Sequence, residues 1–315
     1  IPDDPDLWRQ WGLVNTGQVY KEDFAPGTPG ADIQAASAWN TTTNSDVIIA
    51  VLDSGVDYLH EDLADNIWTN PLTGTHGYDA ITGTLEPMDL ASHGTHCAGI
   101  IGAVGNNGKG GSGVNWNATI LPVRFLNSFG TGTVSDEIEA ILWAARNGAQ
   151  IFSCSYGGSS FSQAEYEVIA GTEGLFICAA GNSGQDNDFE PHYPSSYDLD
   201  NIISVAATNA HDELASFSNF GKVSVDIGAP GADIYSTKHN IYKPDPVWRD
   251  SFETLNNWTI HGNWTLNTEN FSSPPSSASG LVNNTVLNQT EPPVIISLKE
   301  PLDIFNLTEP IISYQ

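Results

Sequence analysis

The stretch "DVIIAVLDSG", Asp46 to Gly55, reads as a buried strand that ends in an acid and a tight turn. Its apolar core does not alternate with polar residues, so both faces of the strand need a cover. The same form returns in "TILPVRFLN" (Thr119–Asn127), "AQIFSCSYGG" (Ala149–Gly158), "GLFICAAGN" (Gly174–Asn182) and "NIISVAAT" (Asn201–Thr208). "VSDEIEAILWAARNG" (Val134–Gly148) reads instead as an amphipathic helix, with Ile138, Ile141, Leu142 and Ala145 at helical spacing and Gly148 as its stop. Strands alternating with helices predict an α/β fold, a mostly parallel sheet with helices on both faces. Ligands of such sheets sit beyond the carboxyl ends of the strands. Asp53, Ser155 and Asn182 stand at three of those ends.

Composition narrows the function classes. The chain has 315 residues, room for one large domain or two smaller ones. Its 38 Asp plus Glu against 10 Lys plus Arg give a net charge of −28. Duplex nucleic acid is therefore excluded as a partner, because phosphate contacts need lysine and arginine. No apolar run is long enough to span a bilayer, and the chain begins at Ile1, which reads as a processed start with no signal peptide left. Cys97, Cys154 and Cys178 lie among small or apolar neighbours and read as free thiols rather than a disulfide framework. Glycosylation sequons stand at Asn40, Asn117, Asn257, Asn263, Asn270, Asn283, Asn288 and Asn306. Their crowding after Asn257 points to a secreted, extracellular chain.

The texture changes after Thr237. Residues 1–242 carry the strand–helix alternation, and 243–315 are rich in Trp, Asn, Thr, Ser and Pro without a long helical pattern. The second segment is expected to be the start of an inserted β-sandwich, cut short at Gln315. Trp248, Trp258 and Trp264 suit its core better than a carbohydrate-binding face, because aromatics dominate cores.

"MDLASHGTHCAGIIGA", Met88 to Ala103, places His93 and His96 at a loop that enters a tightly packed helix. A helical zinc pair is usually four apart and carries a glutamate, which this pair does not. Asp53 alone suits a turn as well as a site. Together, an acid, a histidine and the amide of Asn182 suit acyl transfer. The acid orients the imidazole, the imidazole moves protons, and the amide stabilises an oxyanion.

Here the resemblance becomes specific. "AVLDSGVDYLHEDL" (Ala50–Leu63), "SHGTHCAGI" (Ser92–Ile100), "SYGG" (Ser155–Gly158), "AAGN" (Ala179–Asn182) and "IGAPGADIYST" (Ile227–Thr237) resemble, in order, the subtilisin-like serine proteases, and most closely their thermitase-like calcium-binding branch. The resemblance implies Asp53 as the triad acid, His93 as the general base and Asn182 as the oxyanion donor, with His96 a buried structural histidine. It implies Gly130-Thr131-Gly132 and Ser155-Tyr156-Gly157 as the two walls of a polypeptide-binding cleft, and Ala179-Ala180-Gly181 as a pocket open to large apolar groups. It also implies a cis Tyr193–Pro194 bond, and a pro-segment of the protein's own as an inhibitor.

The departure is the nucleophile. No Gly-Thr-Ser-like helix start follows Thr237, so the serine is expected beyond residue 315 and these residues alone are expected not to turn peptides over. The alternative is a subtilisin-like binding protein that has lost catalysis. The resemblance further implies a calcium site made by Asp4, Asp62 and Asn107 with the backbone carbonyls of Val104, Lys109 and Gly111, an all-oxygen set suited to a hard cation. Asp57 is a weaker candidate, and Asp79 with Asp89 are expected as a second cation site.

Overall fold

The computed structural model describes residues 1–21 and 24–239, together with two short strands, Trp258–Ile260 and Ile296–Leu298. The chain divides into two compact units, Ile1–Ile241 and Tyr242–Gln315.

In the first unit a seven-stranded sheet is built from β1 (Asn44–Asp53), β2 (Tyr78–Asp79), β3 (Asn117–Arg124), β4 (Ile151–Cys154), β5 (Leu175–Ala179), β6 (Ile202–Thr208) and β7 (Ile227–Pro230), in the order β2-β3-β1-β4-β5-β6-β7. Every pairing is parallel. The helices are α1 (Ala35–Ala38), α2 (His93–Gly102), α3 (Val134–Arg146) and α4 (Gln163–Gly171). Among the described residues no helix is long and apolar enough to cross a membrane.

The continuous apolar run of β1 is explained by burial on both faces. Ala50 and Leu52 join a core with Phe152, Phe176 and the helical residues Ala140, Ile141, Ala144 and Ile169, so α3 and α4 cover that face. Val51 points the other way, into a second core with Ile120 and Ala98 of α2. Successive side chains of a strand alternate in direction, and each direction here meets a helix.

Two helix starts follow standard capping. Thr133 accepts the Asp136 N–H at the start of α3, and Ser162 accepts the Glu165 N–H at the start of α4. The buried stripe of α3 corrects the sequence reading. Glu137, Ala140, Ile141 and Ala144 are buried, whereas Ile138, Leu142 and Ala145 are only partly so. The alanines let the helix lie close to the sheet, and that rotation carries Glu137 inward.

In the second unit the strands β8 (Trp258–Ile260) and β9 (Ile296–Leu298) pair antiparallel. The β-sandwich expected over 243–315, and the surroundings of Trp248 and Trp264, otherwise lie outside the described residues.

Candidate active site

The sheet order sets β1, β4 and β5 side by side, and the register pairs Leu52 with Cys154 and Cys154 with Cys178. Asp53, Ser155 and Asn182 therefore emerge at one end of the sheet, as the strand ends suggest. Asp53 is buried, and its backbone carbonyl accepts the Phe125 and Leu126 N–H groups. Its Oδ1 also accepts the Ser54 N–H at 2.7 Å. Helix α2 begins directly above it. His93 Nδ1 lies 2.8 Å and 2.9 Å from the two Asp53 carboxylate oxygens. That carboxylate, acting first through this hydrogen bond, raises the His93 pKa above the ordinary imidazole value, while burial opposes it. Nδ1 is thus committed to Asp53, which leaves Nε2 for proton transfer.

The approach of helix to strand depends on Gly94. A Cβ there would collide with the Gly55 carbonyl oxygen and press on Asp53 Cβ. A second device, not read from the sequence, fixes the helix start. Asp89 is fully buried and accepts hydrogen bonds from Ser54 Oγ, Thr95 Oγ1 and the N–H groups of Ala91, Ser92 and Thr95. Ser54 Oγ in turn accepts the Gly94 N–H. The acid four residues before His93 was a legible signal for this role, but it was assigned to a cation.

The two histidines part company here. His96 Nε2 donates to the Ile234 carbonyl at 3.1 Å, which makes Nε2 the protonated nitrogen. Desolvation lowers its pKa. It is half-buried rather than buried, because it bridges α2 to the segment after β7. Cys97 Sγ stands 4.0 Å from His93 Nδ1, so Asp53, His93 and Cys97 form the group of potential metal ligands among the described residues. Nδ1 faces the carboxylate in that group, which gives it the geometry of an acid–base pair.

Both predicted walls line one cleft of about 710 Å³ that also holds Asp53 and His93. Gly130-Thr131-Gly132 and Ser155-Tyr156-Gly157 are all in its lining. The Tyr193–Pro194 peptide is cis, and both residues line the same cleft. Ala179, Ala180, Gly181 and Asn182 are at the end of β5 but outside this lining. The Ala180 carbonyl accepts Asn187 Nδ2–H and the Gly181 carbonyl accepts the Asn219 N–H, while Asn182 is exposed. Glu137 and Glu165 also line the cleft, and sequence reading missed both.

The predicted cation ligands fall into two groups. Asp4 is buried and accepts the N–H groups of Asn106, Asn107 and Gly108. Asn107 Nδ2 donates to Asp62 Oδ1 at 2.8 Å. Asp62 Oδ2 is buried without any partner, and burial pushes the Asp62 pKa up to about 6. Val104 donates its N–H to the Asp62 carbonyl, Gly111 lies against the Gln10 side chain, and Lys109 is exposed. The structure therefore brings Asp4, Asp62 and Asn107 together. The orphaned Asp62 carboxylate oxygen suits a hard cation, whereas the loop groups that face Asp4 and Asp62 are N–H donors.

The second expected site is corrected. Asp79 takes the Arg124 guanidinium at 2.6 Å, with Thr82 Oγ1 and the Ile81 N–H. It shares no partner with Asp89, whose oxygens serve the start of α2. Asp57 pairs with His239 Nδ1 at 2.8 Å. Each of these acids has protein hydrogen-bond partners of its own among the described residues.

Comparison with known proteins places this geometry in context. The model of the Subtilase family matches residues 44–276. The chain is 42% identical over 231 residues to the thermophilic serine proteinase of Bacillus sp. (strain AK1), covering 72% of this chain and 50% of that protein. It is 39% identical over 208 residues to thermitase of Thermoactinomyces vulgaris, covering 65% of this chain and 70% of that one. Among solved structures it resembles a protease of Pseudoalteromonas arctica, with a TM-score of 0.60 and 29% identity, covering 73% of this chain and 72% of the other. The chain thus spans about half the length of the first of these relatives.

Proposed function

The chain belongs to the subtilase family, and from that premise we propose that the protein is a secreted, calcium-stabilised serine endopeptidase. The observation that carries the reading is the buried Asp53 carboxylate on His93 Nδ1, set in a cleft that residues 130–132 and 155–157 also line. In the proposed reaction a serine of the complete protein attacks the scissile carbonyl. His93 Nε2 takes the serine proton and returns it to the leaving amine. Asp53 fixes the imidazole tautomer and stabilises the imidazolium that forms. Asn182 is the proposed oxyanion donor, offering a side-chain N–H where negative charge develops.

The substrate is proposed to lie as an extended strand along 130–132 and 155–157, which line one cleft, with side-chain choice left to pockets. Ala179-Ala180-Gly181 are proposed as the pocket for the residue before the scissile bond. Calcium, when bound, would neutralise the Asp4 and Asp62 carboxylates, with the Asn107 amide and carbonyls of the 104–111 loop as neutral oxygen ligands. The crowded sequons support secretion.

The test is labelling of the full-length protein with a serine-directed phosphonate, alongside peptide hydrolysis. Stoichiometric labelling that His93→Ala abolishes is the expected result. An unlabelled protein that still binds peptide in the cleft would instead make it a binding protein.

A further inference from the structure

Two buried acids line the cleft without an ion-pair partner among the described residues. Glu137 lies in the first turn of α3 and Glu165 in the first turn of α4, and they are 5% and 4% exposed. Both line the cleft that contains His93. Tyr156 Oη donates to Glu137 Oε1 at 2.8 Å, and Tyr197 Oη donates to Glu165 Oε2 at 2.9 Å. Each carboxyl group raises the energy of ionising the other, and both lie in the lining of the same cleft. Among the described residues neither forms an ion pair with lysine, arginine or histidine.

Two such carboxylates cannot both ionise in a desolvated site, so they share a proton. Burial first, and Glu165 second, push Glu137 up to about 8. An apolar pair would fill the same space without that cost. Acids in a first helical turn favour the helix dipole, but that benefit needs no contact between them and no cleft. A cationic side chain entering here displaces the shared proton and leaves both carboxylates ionised and paired. Tyr156 lines the same cleft, and an aromatic ring attracts cations over its face. The Tyr156 ring is itself held edge-on by Phe125, with centroids 4.6 Å apart.

We propose that Glu137 and Glu165 form a subsite selecting a lysine or arginine side chain of the peptide bound in the cleft. The inference rests on the endopeptidase reading for its effect on turnover, and on the cleft alone for its effect on binding. The net charge of −28 works in the same direction, drawing basic peptides toward the protein.

The experiment uses the full-length protein and a peptide series in which each position in turn carries lysine, norleucine or glutamate. Turnover is read as kcat/KM. Binding is read separately, by fluorescence anisotropy of labelled peptides on His93→Ala protein. At one position lysine is expected to exceed norleucine by about tenfold or more in both readings, the difference one desolvated charge pair supplies. Glu137→Gln and Glu165→Gln keep the side-chain volume and an acceptor for each phenol, and each is expected to pull the lysine-to-norleucine ratio toward one. A purely structural pair would lower the melting temperature in these variants and leave the ratio unchanged. The proposal is overturned if no position prefers lysine, or if the preference survives in both variants. Absence of all turnover would sink the endopeptidase reading, while the anisotropy ratio would still decide this one.

Discussion

His93 and His96 are three residues apart and do different work because different atoms face them. Asp53 faces His93 Nδ1, and the Ile234 carbonyl faces His96 Nε2. In the complete protein His93→Ala is expected to abolish peptide turnover with little loss of peptide binding. His96→Ala removes a hydrogen bond to a part-buried carbonyl and should cost about 1–3 kcal/mol of stability, with turnover per folded molecule retained. Kinetics and thermal melts on both variants separate the roles. Glu137 makes a pH prediction at the same scale. Its folded pKa is raised from 4.5 to about 8 by burial and Glu165, with Tyr156 and Tyr197 as the facing donors and Cys154 and Cys178 packed behind. Between those values the folded state keeps a proton that the unfolded state has lost. Stability therefore falls as pH rises through that window, by at most about 1.4 kcal/mol per pH unit for one proton. Glu137→Gln should flatten that slope in melts from acid to alkaline pH, and an unchanged slope would reject the assignment.

Helix α2 is placed by its small residues and by Asp89, not by a long apolar face. Gly94 lets the first turn touch the end of β1, and Asp89 gathers Ser54, Thr95 and the loop N–H groups beneath it. Gly94→Ala should lift the helix from Gly55 and lengthen the His93–Asp53 hydrogen bond. The expected readout is loss of the downfield Nδ1 proton signal in NMR and a fall in kcat larger than any rise in KM. Asp89→Ala strips the acceptor from several buried donors at once, each charge-assisted hydrogen bond being worth about 1.5–3 kcal/mol. A substantial fall in melting temperature is expected, and an unaltered melt would show that Asp89 does not anchor the helix.

Across the whole catalytic unit, the proposed cation joins parts of the chain that are far apart in sequence. Asp4 binds the loop after α2 through three N–H groups, and Asp62 meets the same loop through Asn107. The N-terminal segment is held further by Asp6 N–H to the Gly110 carbonyl and by Gln10 against Ser112. A ligand that binds only the folded state stabilises it by about 2.7 kcal/mol at a hundredfold excess over Kd. Chelation should lower the melting temperature and speed proteolysis near the N-terminus, and Asp62→Ala should reproduce most of that loss. Equal melting temperatures with calcium and with chelator would mean that nothing binds.

The sequence by itself determined the sheet, and pointed to Asp53 and His93 as an acid–base pair only through its resemblance to a known family. Unalternating apolar cores such as Val47–Leu52 require cover on both faces, and an acid closing such a strand marks the ligand edge. Those signals are local, so they can be read without the fold. Side-chain partnership is not local, and there only the tertiary structure decided. Asp79 and Asp89 look alike in sequence as acids in loops, yet Arg124 neutralises one and the donors around α2 saturate the other. Glu137 looks like a solvent-facing residue of α3 until Ala140 and Ala144 set the helix rotation and α4 brings Glu165 against it. A carboxylate's role depends on what desolvates it and what faces it, and both are fixed by residues far away in the chain.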